Sequence, residues 1–111
     1  SSSFVVQIST EEFGKFMVAK TGVNSLTQTL ASELAPFNIR VNGVSPGPIP
    51  TEVFMEFLKL KPEDIPGLGK RFQIPLGRVG TPEDIAPAVV FLASDASCWM
   101  TGQTIVIKGG P

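Results

Sequence analysis

Two side chains near the amino end of the sequence, those of Ser3 and Lys20, can hydrogen-bond to a ligand, and an aromatic residue stands between them. Phe16 precedes Lys20 by four positions, a spacing that puts two side chains on the same face of a helix. A phenyl ring can neither donate a hydrogen bond, accept one nor ionise. Because the sequence contains no tyrosine and no histidine, these residues offer a ligand positive charge and a hydroxyl group, but no ring that could transfer a proton.

The overall composition excludes several classes of function. The net charge is −1, so no strong field attracts nucleic acid or an anionic membrane. No apolar run approaches the roughly 20 residues that span a bilayer. With no histidine and a single cysteine, Cys98, most metal sites and any internal disulfide are excluded. We therefore expect no nucleic acid, no membrane and no metal, and the lone cysteine favours an intracellular, reducing compartment.

Periodic apolar positions and turn residues predict an alternation of strands and helices. The predicted strands are 1–6, 39–44 and 103–107. The predicted helices run from a capping box at Ser9 to about Ala35, from Thr51 to about Leu60 and from Thr81 to Ser94, and loops are predicted at 45–50 and 62–80. Such an alternation is typical of an α/β fold with a parallel sheet.

Two to three strands and three helices are too few to complete such a fold. A parallel sheet needs helices over both faces, and each of its edges must be paired or covered. We therefore expect the chain to be part of a larger α/β structure, completed by upstream sequence or by a partner. The abrupt start, without methionine, is interpreted in the same way, with Ser1 as a truncation point.

Four segments, in this order and at these separations, carry a resemblance to a known family. They are IRVNGVSPG at 39–47, IPLGRVGTPEDIA at 74–86, FLASD at 91–95 and TGQT at 101–104, with AKTGVN at 19–24 ahead of them. The chain resembles the second half of a short-chain dehydrogenase/reductase. The resemblance implies a Rossmann-like, doubly wound parallel sheet, of which residues 1–111 form the carboxyl-terminal half, and an NAD(P)-dependent oxidoreductase.

The resemblance also implies roles for the three residues near the amino end. In the family a serine, a tyrosine and a lysine occupy the spacing of Ser3, Phe16 and Lys20. The serine hydrogen-bonds the substrate oxygen, and the lysine binds the nicotinamide ribose and lowers the pKa of the tyrosine. Phe16 therefore replaces the proton donor, and we interpret it as a packing residue. Ser3 and Lys20 are the predicted catalytic residues; a serine in a polar terminal run and a solvated helix lysine are the alternatives.

The loop after the second strand matches the segment that receives the nicotinamide end of the cofactor in this family. The predicted cofactor-binding residues are Lys20, Pro46, Gly47, Ile49 and Thr51. The resemblance puts the Ile49 backbone at the carboxamide and Thr51 at the carboxamide or a phosphate. The cofactor is NAD or NADP, and the glycine-rich turn that binds its pyrophosphate has no counterpart in the chain. An ordinary proline-braced turn is the alternative.

Residues 52–72 match the variable substrate lid of the family. Their apolar side chains favour a small-molecule substrate that is apolar or acyl, with ordinary amphipathic packing as the alternative. Asn42, on the second predicted strand, and Ser45, just after it, are expected to be structural hydrogen-bonding residues.

Three functions remain open. The first is NAD(P)-dependent hydride transfer to or from a carbonyl, alcohol or enoyl group. This activity is either impaired by Phe16 or supported by a tyrosine farther upstream, as in the 2,4-dienoyl-CoA reductases. The segment PGPI at 46–49 resembles that group. The second is a non-catalytic homologue that binds cofactor or a partner and acts by assembly, since family members commonly form homo-oligomers through the long helix and the last strand. The third is a truncation product without a function of its own.

Overall fold

In the computed structural model, residues 3–8 and 16–111 are described, with side chains from 24 onward in the second range. The strands are β1 (Ser3–Ile8), β2 (Ile39–Pro46) and β3 (Thr104–Ile107), and the helices are α1 (Phe16–Leu34), α2 (Glu52–Phe57), α3 (Ile65–Arg71) and α4 (Pro82–Ala93). The predicted alternation is confirmed over these residues, with one additional helix, α3. The capping box predicted at Ser9 lies outside them. Within the described part, no helix has both the length and the apolarity to cross a membrane.

The strands of the described residues form one parallel sheet in the order β1-β2-β3. Ser3 of β1 lies opposite Ile39 of β2, and Gly43 of β2 lies opposite Thr104 of β3. Successive side chains of a strand point to opposite faces, so β2 presents Gly43 to α1 and Val44 to α4. Helices therefore cover both faces around the central strand, which confirms the predicted doubly wound sheet.

The face of the sheet toward α4 holds an apolar cluster, here called the sheet cluster. Its buried members are Val44, Ile85 and Leu92, and the half-buried side chains packed against them are Val6, Ile49, Ala88, Val89, Met100, Ile105 and Ile107. The α4 members recur every three or four residues, as in an amphipathic helix. This stripe holds α4 against all three strands.

A buried arginine near the start of β2 ties this strand to the end of α4. Arg40 is 6% exposed, and its guanidinium donates to the carbonyl of Ser97 at 2.7 Å and to that of Leu92 at 3.3 Å. Carbonyls at a helix carboxyl end lack a partner within the helix, and a cation is favourable there. Asn42 extends this arrangement by donating to the Met100 carbonyl at 3.0 Å, which confirms its predicted structural role.

The segment between β2 and α4 has a second apolar cluster, here called the lid cluster. Its buried members are Phe54, Leu68 and Val79, and the side chains packed against them are Met55, Leu58, Leu60, Ile65, Phe72 and Ile74. The rings of Phe54 and Phe72 meet edge to face, with centroids 5.9 Å apart, a favoured arrangement of aromatic pairs. The lid thus has an apolar core of its own and does not extend the sheet cluster.

The helix α3 corrects the prediction of a loop over 62–80. Its sequence contains Pro66, Gly67 and Gly69, which are poor helix formers. Pro66 stands in the first turn, where no amide hydrogen is needed. Gly69 is the point where the backbone of Gly77 and Arg78 comes so close that a Cβ atom would collide with it. This contact is a tertiary requirement that local propensity does not register.

Both lid helices end at a left-handed residue that is not glycine. Lys59 and Gln73 each have a φ of 54°. After α2, the Leu60 amide donates to the Met55 carbonyl at 2.8 Å, and an equivalent bond closes α3; this is the long hydrogen bond of a Schellman motif. For this reason α2 ends at Phe57, earlier than predicted.

The strand β2 is longer than predicted, because Ser45 and Pro46 belong to it and not to the following loop. The amides of Gly43 and Gly47 both donate toward the β3 side, to the carbonyls of Gln103, just before β3, and of Ile107, at 2.7 Å each. The intervening position 46 therefore faces the other neighbour, β1, whose pairing has already ended at Ile8. A proline fits there because no ladder hydrogen bond is lost.

The edge strand β1 leaves apolar side chains in contact with solvent. Phe4 and Ile8 are 47% and 51% exposed, and Val5 is 40% exposed. An open strand edge with apolar side chains is a surface on which further structure can pair. This exposure agrees with the inference that the described elements do not complete a covered sheet.

We expect Arg40→Met to destabilise the protein, because the variant removes the hydrogen bonds of a buried cation to carbonyls at and just after the end of α4. Hydrogen bonds to a charged group contribute about 1.5–3 kcal/mol. The measurement is the free energy of unfolding from urea denaturation. Arg71→Met, at an exposed arginine in the last turn of α3, is the control, and an equal loss in both variants would contradict the role assigned to Arg40.

Gly67→Ala and Gly69→Ala are expected to shift stability in opposite directions although both lie in α3. Alanine is favoured over glycine inside a helix by up to about 1 kcal/mol, and nothing lies within 4 Å of a Cβ atom at 67. At 69 the Cβ atom meets the Gly77 backbone, and overpacking costs about 1–3 kcal/mol. Thermal unfolding measures both variants, and shifts of the same sign would argue against the close contact.

Candidate functional site

The loop that follows β2, residues 47–51, is here called the edge loop. It leaves the sheet at the carboxyl ends of the strands, where open α/β sheets bind ligands. The Gly47 amide donates to the Ile107 carbonyl at 2.7 Å. A Cβ atom at Gly47 would lie 2.5 Å from the Cβ of Lys108 and 2.7 Å from its Cα, so only glycine lets the loop begin against β3.

Thr51 anchors the other end of the edge loop. Its amide donates to the Ile49 carbonyl at 2.8 Å, and its hydroxyl oxygen accepts from the Phe54 amide at 3.3 Å. The predicted helix cap at Thr51 is thereby confirmed. A hydroxyl that accepts one hydrogen bond can still donate another, so capping leaves the Thr51 hydroxyl able to donate to a ligand.

Two small cavities flank the start of the edge loop. One of about 130 Å³ lies between the loop and the turn before α4, and one of about 270 Å³ lies between the loop and the residues after α3. Pro48 and Lys108 border both. Each volume is below the ~300–1,000 Å³ typical of small-molecule sites. The described residues alone therefore do not enclose a small-molecule site of typical size.

An ion pair closes the turn that borders the smaller cavity. The Arg78 guanidinium donates to both oxygens of the Asp84 carboxylate, at 2.6 and 2.8 Å, and the Thr81 amide donates to it at 2.8 Å. Hydrogen bonds from Arg78 and then from the Thr81 backbone hold the pKa of Asp84 well below its usual range. The carboxylate is therefore ionised at neutral pH, and the pairing is lost only as the pH falls through that low folded-state pKa.

The predicted lysine and its aromatic neighbour belong to the first two turns of α1. Phe16 is the first residue of this helix and Lys20 the fifth; their side chains lie outside the described part of the chain. Since α1 connects the carboxyl end of β1 to the amino end of β2, its amino end lies at the same edge of the sheet as the edge loop. The backbone is compatible with Lys20 near the edge loop, and contact between them stays a prediction.

Ser3 lies at the opposite end of the sheet. It is the first residue of β1 and pairs with the first residue of β2, whereas the edge loop begins after Pro46. At a rise of ~3.3 Å per residue the two ends of β2 are roughly 20 Å apart. The structure does not bring Ser3 to the edge loop, which corrects its assignment to the site. The carboxyl end of β1 is Ile8, and Ser9 and Thr10, which follow in the sequence, lie outside the described residues.

Ser45 departs from its predicted role. It is 1% exposed, and its hydroxyl has no hydrogen-bond partner in the part of the chain that the structure describes. The expectation of a structural hydrogen bond is therefore wrong for Ser45. Its neighbour across the sheet, Val106, has an apolar side chain and offers no partner. Among the described residues, a buried hydroxyl without a partner thus lies on the α1 side of β2, one residue before Pro46.

The helix α2 directs apolar side chains in two directions. Phe54 is buried in the lid cluster, which accounts for part of the apolar character of the lid by packing. Val53 and Phe57 are 74% and 66% exposed, and their spacing of four residues puts them on one stripe. An apolar surface therefore follows directly after the edge loop.

Comparison with known proteins agrees with this architecture. The family model described as "Enoyl-(Acyl carrier protein) reductase" matches residues 1–111. The chain is 42% identical over 110 residues to the 3-oxoacyl-[acyl-carrier-protein] reductase of Chlamydia pneumoniae, an alignment that covers 98% of this chain and 42% of the relative.

Solved structures with the same fold include two oxidoreductases. The first, from Pseudomonas aeruginosa PAO1, is an NADPH-bound short-chain oxidoreductase described as containing an atypical catalytic center; the TM-score is 0.83 at 30% identity, over 96% of this chain and 45% of that one. The second is a short-chain type dehydrogenase/reductase from Mycobacterium marinum, with a TM-score of 0.78 at 38% identity, over 97% of this chain and 44% of that one.

The chain spans less than half the length of each of these relatives. Each of these alignments covers 96–98% of this chain. The chain belongs to the short-chain dehydrogenase/reductase family, of which it represents a carboxyl-terminal portion.

Proposed function

We propose that the protein containing this chain is an NAD(P)-dependent oxidoreductase that transfers hydride to or from a carbonyl, alcohol or enoyl group. The observation that carries the proposal is the edge loop, which Gly47 fixes against β3 at the carboxyl edge of a parallel sheet, between two cavities. The similar proteins support the chemistry, since one is a reductase of 3-oxoacyl groups and another holds NADPH.

The described residues suit the nicotinamide end of such a cofactor. The smaller cavity combines loop backbone with apolar side chains, among them Leu76 and Ile107, a lining that fits a flat ring with one amide substituent. The proposed cofactor-binding residues are Lys20, Pro46, Gly47, Ile49 and Thr51. When bound, the cofactor supplies or accepts the hydride. The choice between NAD and NADP depends on residues that hold the adenosine, and none of the described residues is proposed for that role.

The rest of the nucleotide site is proposed to belong to an amino-terminal half of the protein. Residues 1–111 would then be the carboxyl-terminal half of one NAD(P)-binding Rossmann domain, as the lengths of the relatives suggest. The exposed apolar edge of β1 is the surface on which that half would pair. Assembly into a homo-oligomer through α1 and β3 is proposed alongside, because family members commonly associate in this way.

The source of the proton is the unusual part of this proposal. Phe16 stands where the family has its tyrosine and cannot move a proton. We propose that Lys20 retains the role of holding the nicotinamide ribose and that the proton comes from a residue outside the chain, such as an upstream tyrosine. The relative described as containing an atypical catalytic center supports the idea that this family tolerates such a change.

A non-catalytic family member is the second candidate function. Phe16 favours it, because loss of a positioned acid or base typically lowers a rate by ~10²–10⁴. Such a protein would still bind the cofactor or a partner subunit, but its substrate-binding surface would no longer serve catalysis. Val53 and Phe57, exposed next to the edge loop, favour the enzyme with an apolar or acyl substrate.

Phe16→Tyr separates a donor outside the chain, as proposed, from an enzyme impaired by the loss of the tyrosine. With the proposed donor we expect the turnover of the full-length protein to stay within about twofold, whereas an impaired enzyme should gain up to ~10²–10⁴. Turnover is measured from the absorbance of reduced nicotinamide, with a 3-oxoacyl and an enoyl thioester as substrates. Adding Lys20→Ala to this variant should abolish the gain. An active wild type that gains nothing from Phe16→Tyr would point to a donor outside the chain. Cofactor binding without turnover in either protein would favour the non-catalytic candidate.

The register of β1 yields a prediction about the serine of the family. A hydroxyl that acts at the edge loop must follow Ile8, and Ser9 is the first candidate in the sequence. We expect Ser9→Ala to lower turnover by about 10²-fold, as for loss of a donor to a developing oxyanion. Ser3→Ala is the control and should change turnover less than twofold. The reverse result, a loss confined to Ser3→Ala, would contradict the register argument.

A further inference from the structure

The turn before α4, residues 78–81, lies between the two apolar clusters. Val79 is buried in the lid cluster, and Ile85, six residues on, is buried in the sheet cluster. The edge loop makes the same passage in the opposite direction, from Ile49 in the sheet cluster to Phe54 in the lid cluster. Two chain segments therefore cross side by side from one cluster to the other.

These two segments are in direct contact. The Gly80 amide donates to the Pro48 carbonyl at 2.9 Å. A Cβ atom at Gly80 would lie 3.2 Å from the Cγ1 of Ile49 and 3.6 Å from the Pro48 oxygen, so the backbone at Gly80 is packed against the loop. The position of the edge loop thus depends on the position of the turn.

The Arg78–Asp84 pair closes this turn into a ring. The guanidinium of Arg78 donates to Asp84 and also to the carbonyl of Val79, at 3.1 Å. The carboxylate of Asp84 accepts in addition from the Thr81 amide at 2.8 Å and from the Thr81 hydroxyl at 3.1 Å. Residues on both sides of Gly80 are therefore held by one carboxylate.

The exposure of this pair limits what it can contribute to overall stability. The side chains of Arg78 and Asp84 are 60% and 31% exposed, and ion pairs at such positions stabilise a fold little. Their bidentate geometry does specify orientation. The effect of the pair is consequently local, and the structure next to it is the edge loop.

We propose that Arg78 and Asp84 are positioning residues for the nicotinamide end of the cofactor. This inference rests on the proposed function. Without the ion pair, Gly80 is no longer held at the back of the loop, and the Pro48 carbonyl loses a fixed donor. The edge loop then samples other positions, and binding of the nicotinamide end is weakened because the loop must be returned to its binding position. The adenosine end of the cofactor binds elsewhere and is unaffected.

The test compares two ligands on the full-length protein. The first ligand is NADPH or NADH, whichever binds, and it carries the nicotinamide end. The second is the matching ADP-ribose, which lacks the nicotinamide and carries the 2′-phosphate if the first ligand is NADPH. We expect Arg78→Gln to weaken binding of the reduced dinucleotide about tenfold, which corresponds to ~1.4 kcal/mol, and to leave the ADP-ribose Kd within twofold. Titration calorimetry measures both.

Three further variants make the test specific. Asp84→Asn removes the same pairing but also weakens the cap of α4, whereas Arg78→Gln leaves the Thr81–Asp84 hydrogen bonds in place, so the test stands even if Asp84→Asn folds poorly. The double variant should bind the reduced dinucleotide no more weakly than the more impaired single variant does, because the two substitutions remove the same interaction. Glu83→Gln removes a negative charge from the same helical turn and is the matched control.

The outcomes separate this inference from the proposed function. A wild type that binds neither ligand overturns the proposed function and the inference with it. A wild type that binds both, with Arg78→Gln unchanged for both, overturns the inference alone. An equal loss for both ligands also overturns it, because a merely structural role would affect the whole site. A loss confined to the reduced dinucleotide, absent in Glu83→Gln, supports it.

Discussion

The hydrogen bonds from the buried guanidinium of Arg40 to the carboxyl end of α4 are the constraint on which the arrangement of the other elements depends. A buried charge needs acceptors, and the chain supplies them by ending α4 over the start of β2. The opposite end of α4 carries Asp84, which fixes the turn behind the edge loop. Because α4 lies across all three strands, one helix connects the Arg40 contacts near the amino end of β2 to the turn that contacts the edge loop at the carboxyl ends of the strands.

Much of the fold could be predicted because local signals agree with it. Thr81 and Asp84 cap α4 as the sequence indicates, and β-branched residues mark the strands. The lid was harder to predict, because Lys59 and Gln73 adopt the left-handed conformation that usually selects glycine. Its second helix depends on the close approach at Gly69. In the lid, contacts made after the chain has folded back override the preferences of short segments.

Only those parts of the candidate site that depend on residues close together in the sequence could be predicted. Prolines and glycines define the edge loop in the sequence, and its position after a strand follows from the α/β pattern. Ser3 was misassigned because a spacing along the chain cannot say which end of β1 meets the loop; the strand register decides that. The link between Gly80 and Pro48 joins residues 32 positions apart, and no local pattern encodes it.

The separation of the lid cluster from the sheet cluster bears on the size of ligand that the protein can admit. Proteins open in cooperative units that follow their packing, and the lid cluster and the sheet cluster are two separate packing units. The backbone links that resist this include Gly80 to Pro48 and Leu76 to Gly109, each 2.9 Å long. Under the proposed function, the size of substrate that the site admits then depends on whether these amide–carbonyl links hold, and not only on the width of the cavity walls.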